Sequence, residues 1–159
     1  MVVGSAIFTA SLGSGSGGVL AATIAQNGFG TVPLSRVTKN LGGGVWNSSD
    51  YTYEIPISGT YLIKSSVRLM DNSTGNNSPV RNIYQAVGTE NRDIPEGIWQ
   101  TNYDRTTIPT GTGYNRFTML YNRIAYFDKG SKVRLYIYSD GAEAKLSDAS
   151  LDIVLISAN

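Results

Sequence analysis

From residue 51 onward, apolar and polar side chains alternate with a period of two over long stretches. Tyr51, Tyr53, Ile55 and Ile57 alternate with Thr52, Glu54 and Pro56. That pattern predicts a half-buried strand, and Pro56, which has no amide proton for a ladder, marks its end or a sheet edge. Ser58-Gly59 turns the chain. Tyr61, Ile63, Ser65, Val67 and Leu69 then alternate with Leu62, Lys64, Ser66 and Arg68. Residues 71–79 form a polar loop. Residues 80–87 and 98–103 predict two more strands. Residues 117–127 predict a long strand that is apolar on both faces. Asp128-Lys129-Gly130-Ser131 is a tight turn, and Val133, Leu135 and Ile137 alternate with Arg134, Tyr136 and Tyr138. Asp140-Gly141 is a further turn signal. Residues 151–156 close the chain as a strand, again apolar on both faces.

The N-terminal part is patterned differently. No charged residue precedes Arg36. With 16% charged residues overall, chance gives such a run roughly 0.2% of the time, so the segment is expected to be buried or docked. Residues 6–12 read as a strand, and residues 13–18, all Gly and Ser, as a flexible loop. Residues 19–26 fit a short helix or a strand. Residues 31–37 predict a strand and residues 41–44 a turn. Eight to ten short strands with regularly spaced turn signals imply a β-sandwich or barrel. With no internal repeat and no linker composition, one domain is expected over residues 1–159.

Three stretches, taken in order, resemble a known family. Residues 53–63, with Pro56, Gly59, Tyr61 and Leu62, are similar to its "Pro, Gly, x, Tyr, aliphatic" strand pair. Residues 127–135, with Gly130, Val133 and Leu135, are similar to its "Leu, x, x, Gly-Asp, x, Val, x, Leu" hairpin, with Phe127 and Ser131 departing from it. Residues 150–156 are similar to its closing "Phe, x, Gly, aliphatic" strand, with Leu151 and Ile153 in place of Phe and Gly. The set resembles the trimeric jelly roll of the tumour-necrosis-factor and complement-globular-head type, as found in phage virion surface proteins. The resemblance implies an all-β, antiparallel jelly-roll β-sandwich of about ten strands that assembles as a homotrimer. The apolar pattern agrees, because a sandwich strand should be polar on its outer face. Leu62, Leu120, Ile124, Val154 and Ile156 break that rule together. Exposed in a monomer they would make an apolar patch larger than soluble monomers usually carry, so they are the expected trimer interface.

Composition narrows the chemistry. The 159 residues include 13 cations and 12 acids, so no net field steers the protein to nucleic acid or anionic lipid. No run of apolar residues is long enough to span a membrane as a helix. There is no His and no Cys. That removes His- and Cys-based catalysis, disulfides and the common zinc sites, so no enzyme activity, cofactor or metal is expected. Gly13, Gly15 and Gly18 mimic a dinucleotide fingerprint, but neither a βαβ pattern nor a later acid accompanies them. The oxygen-rich residues 71–77 lack the spaced carboxylates of a calcium loop. The sequons at Asn47, Asn72 and Asn76 read as turn composition. Trp46, Trp99, Tyr103 and Tyr114 lie in or beside predicted loops, where aromatics pack the loop or anchor a ligand.

The expected function is structural: a trimeric decoration or cement protein on a phage head, located in the virion, with itself and the major capsid protein as partners. The charge-free N-terminus supplies the expected docking residues Val2, Val3, Ile7 and Phe8, with residues 1–5 as a docking extension. The opening Met1-Val2-Val3-Gly4 lacks the basic region of a secretion signal. The alternative is the head of a tail fibre or spike that binds host surface glycan, through the loop aromatics.

Overall fold

The structure, a computed structural model, describes residues 6–13, 22–24, 28–71, 82–89, 99–104, 115–139 and 144–158. Every regular element among them is a strand. In chain order these are β1 (Ala6–Ser11), β2 (Ala22–Ile24), β3 (Gly28–Thr31), β4 (Arg36–Asn40), β5 (Val45–Asn47), β6 (Thr52–Glu54), β7 (Gly59–Asp71), β8 (Asn82–Thr89), β9 (Trp99–Asp104), β10 (Asn115–Phe127), β11 (Lys132–Ser139) and β12 (Ala144–Ala158). They form two six-stranded antiparallel sheets. The first runs β10-β7-β12-β1-β4, with β2 also on β12. The second runs β5-β6-β11-β8-β9, with β3 also on β11. Neighbours in each sheet are mostly distant in sequence, as a jelly roll requires.

The alternation read from the sequence sets which side chains enter the core. On β7, Tyr61, Ile63, Ser65, Val67 and Leu69 are buried, while Lys64 and Arg68 are exposed. On β12, Leu151, Ile153 and Leu155 are buried beside them, and on β11, Val133, Leu135 and Ile137 face them from the other sheet. Tyr61 packs its ring on Phe127, with centroids 6.1 Å apart. Its hydroxyl donates to the Ile57 carbonyl at 2.5 Å, so the polar tip of a buried ring is satisfied.

Several boundaries differ from expectation, each for a local reason. The strand expected at 31–37 is two strands: β3 ends at Thr31 on the second sheet, and β4 begins at Arg36 on the first. Pro33 lies in the crossing, where the chain leaves one ladder for the other. β5, unpredicted, is three residues long and pairs with β6. β6 itself shrinks to Thr52–Glu54. Residues 22–24 take the strand alternative, as β2, by pairing with Leu146, Lys145 and Ala144. The dinucleotide-like glycines are thus followed by a strand, and a fingerprint of that kind requires a helix.

Register shifts shape the first sheet, and two of them bear on the expected site residues. In β12 the register skips Ile156, between Leu155 and Ser157. In β1 it skips Ile7, between Ala6 and Phe8. An extra residue breaks strict alternation, and Ile7 and Phe8 are consequently both buried. Phe8 stacks on Tyr53 at 4.1 Å and meets Trp46 at 5.1 Å. Those contacts close one flank of the sandwich by tying β1 to β5 and β6. The docking role expected for Ile7 and Phe8 therefore fails: both are core side chains. Val2, Val3 and the expected extension at residues 1–5 lie outside the described residues.

Candidate functional site

The outer face of the first sheet holds the feature that needs explaining. Its β10-β7-β12 register lines up Ile124, Leu62 and Val154 as one cross-strand row. Leu62 and Val154 are half-buried by their neighbours on the sheet, whereas Ile124 is 62% exposed. Two residues further along β10 in each direction come Tyr126, 50% exposed, and the polar Asn122; beyond Asn122 is Leu120, 66% exposed. Ile156 sits half-buried in the β12 bulge near the same end. The five residues expected at the trimer interface therefore belong to three adjacent strands, and their side chains are at least half exposed or only partly covered. Tyr126 joins them. It was legible in sequence as the next outward position after Ile124.

Polar rows separate the apolar ones. Asn122, Lys64 and Asp152 line up across the sheet, and Arg68 lies opposite Asp148. Opposite charges on neighbouring strands offset each other. Between these rows the Ser66 and Ser150 hydroxyls hydrogen-bond at 2.8 Å. The face is thus a patchwork of apolar rows and charge-matched polar rows, suited to a specific contact more than to non-specific adhesion.

The other expected site residues are scattered. Trp46 is half-buried on the short strand β5, packed between Phe8 and Tyr51. Trp99 and Tyr103 lie on β9, opposite Val87 and Ile83, and so on a strand and not a loop. Tyr114 lies outside the described residues, as do residues 72–77 of the calcium-like stretch, while Asp71 ends β7. Asn47, in the first sequon, accepts hydrogen bonds from the Ser49 amide at 3.0 Å and hydroxyl at 2.7 Å. This side-chain turn is what such composition produces. An open recess of about 360 Å³ lies beside it, lined by Val45, Trp46, Asn47, Ser48, Thr52, Glu54 and Lys132.

The titrating groups with resolved shifts are structural. Burial pushes the Tyr53 and Tyr121 phenols up to about 12. The Tyr121 hydroxyl is buried with no partner among the described residues. Burial pushes the Asp50 carboxyl up, but hydrogen bonds from Thr52 and the charges of Arg134 and Lys132 outweigh it and hold the group below its usual value. No cluster of three or more metal-ligating side chains exists among the described residues.

No protein-family model matches the chain, and neither does any curated protein. Solved structures do. An Eiger TNF from S. frugiperda superimposes with a TM-score of 0.58 at 9% identity, over 98% of this chain and 97% of that one. Murine APRIL gives 0.57 at 16% identity, over 93% and 98%. The globular domain of zebrafish complement 1qA gives 0.55 at 8% identity, over 98% and 100%. The fold is the tumour-necrosis-factor and complement-head jelly roll. The sequence resemblance pointed to this fold, and the superpositions extend over nearly the whole chain.

Proposed function

We propose that the protein is a non-enzymatic homotrimeric jelly-roll module that acts by binding, and that it decorates a phage head. One observation carries the trimer: the outer row of Ile124, Leu62 and Val154, flanked by exposed Leu120 and Tyr126, offers apolar surface that a second copy would cover. A threefold ring joins two different patches of each subunit and closes on itself. The exposed side chains of β10 and the half-buried Leu62 and Val154 on β7 and β12 would be two such patches. The virion setting rests on the sequence, a cysteine-free, Gly-rich jelly roll with nearly balanced charge.

The recess beside Trp46, Asn47 and Glu54 favours the second reading, a glycan-binding head of a fibre or spike. It combines an indole, an amide and a carboxylate, groups that suit sugar hydroxyls and ring faces. One experiment separates the two. Full-length protein is added to undecorated phage heads and, in parallel, to host cells with and without surface glycan. Saturable occupancy of heads supports decoration. Glycan-dependent binding to cells with empty heads puts the fibre-head reading in its place.

A further inference from the structure

The large exposed apolar side chains among the described residues fall into two groups. Leu120, Ile124 and Tyr126 lie on β10. Val37, Leu41 and Val45 lie on β4, on β5 and in the turn between them. The order β10-β7-β12-β1-β4 puts four strand spacings, about 19 Å, between β10 and β4. The second group is therefore a separate surface, at the flank where both sheets end in an edge strand.

That flank is held rigidly. The Leu41 amide donates to the Ile7 carbonyl at 2.8 Å, and the Asn40 side-chain amide donates to the Gly44 carbonyl at 3.2 Å. A Cβ on Gly42 would press on Ile7 at 3.1 Å, and one on Gly44 would run into the Tyr53 ring. The glycine turn is laid flat on the core, while Leu41 stays 72% exposed and Val45 60% exposed. Their exposure comes from a pinned turn and not from slack, and preorganisation of this kind lowers the cost of binding.

The charge of β4 is one-sided, Arg36 and Lys39 with no acid on the strand; the acid at this flank, Glu54, lies on the second sheet, opposite Val45. A bulge in the β1–β4 ladder sets Arg36 opposite Ser11 and Lys39 opposite Thr9, both on the outer face. Lys64 and Arg68, by contrast, have Asp152 and Asp148 opposite. The first acidic residue of the chain is Asp50. Pairing of β4 with β4 of another copy would set cation against cation, a device that keeps edge strands from self-association. An acidic strand meets no such barrier.

We propose that this flank is a docking edge for an extended acidic segment of another protein. Its carboxylates pair with Arg36 and Lys39, its backbone adds to the outer edge of β4, and its apolar side chains cover Val37, Leu41 and Val45. The inference rests on the reading of the protein as a binding module and names a second surface for it; it requires no trimer.

The test titrates isotope-labelled full-length protein with a short peptide alternating aspartate and leucine, and with its lysine counterpart. Amide shifts are expected at residues 36–46 with the aspartate peptide and not with the lysine one. Binding should weaken with added salt. The double variant Arg36→Glu, Lys39→Glu should bind the aspartate peptide about tenfold more weakly and take up the lysine peptide, with its assembly state unchanged. Equal binding of both peptides, shifts centred on β10, or undiminished binding by the variant overturns the proposal. Loss of assembly in the variant also overturns it, because the flank would then be a self-contact. A monomeric wild-type protein defeats the trimer reading and leaves this test intact.

Discussion

Replacing Ile124 by Asp should separate assembly from folding. In one subunit the side chain is 62% exposed and lies across from Leu62 on β7. A surface substitution of that kind changes monomer stability by about 0.5 kcal/mol or less. In the proposed trimer the exposed part becomes buried. Full burial of an isoleucine is worth about 1.5–3 kcal/mol, so the part still exposed in the monomer accounts for about 1–2 kcal/mol per subunit, and about 3–6 kcal/mol for three. At 1.4 kcal/mol per tenfold, losing that contact alone weakens association by about two to four orders of magnitude. Asp adds the cost of desolvating three carboxylates close together. Light scattering across a concentration series should give the wild type three times the 17.1 kDa chain mass and the variant a single chain mass. Circular dichroism should give both the same melting profile at low concentration. Ile63→Asp is the contrast: Ile63 is fully buried, so that variant should not fold. A wild type of single-chain mass at micromolar concentration refutes the reasoning, and so does an Ile124→Asp variant that stays trimeric.

Gly44→Ala should destabilise the monomer by about 1–3 kcal/mol, since its Cβ meets the Tyr53 ring and approaches the Glu54 carbonyl oxygen at 2.6 Å. Gly43→Ala, with φ of 77° and open space around it, should cost only about 1 kcal/mol of backbone strain; thermal melts rank the two. Tyr61→Phe should cost about 1 kcal/mol by removing the hydrogen bond to the Ile57 carbonyl, read from denaturant midpoints. The Tyr53 and Tyr121 phenols are raised from 10 to about 12 in the folded state. Their contribution is complete below pH 10 and is lost as pH rises from there through about 12, because the unfolded chain releases the protons first. A spectrophotometric phenolate titration should show these tyrosines ionising late and together with unfolding, and the Tyr53→Phe, Tyr121→Phe variant should lose most of that late step, keeping the part due to Tyr61, whose phenol burial also raises.

How far the chain could be read depended on whether a pattern was local. Period-two alternation on β7, β11 and β12 decides which side chains are inward, and the same alternation exposes the anomaly of Leu62, Leu120, Ile124 and Val154, because an outward apolar residue is visible in one strand. The burial of Ile7 and Phe8 has no local signature, because it depends on a bulge against β12 and on the rings of Tyr53 and Trp46, partners more than thirty residues away in sequence. β5 has no sequence signature, because three residues carry too little period to detect. The cationic flank was invisible for a similar reason: Arg36 and Lys39 share a face only through the bulge in the β1–β4 ladder. The sequence alone determined an all-β chain, its inward faces, and the absence of His and Cys chemistry, since each depends on residue type and spacing along one strand. Tertiary structure alone decided the order of the strands, the gathering of Ile124, Leu62 and Val154 into one row, and the separation of the two exposed apolar surfaces, since these depend on pairing between strands far apart in the chain.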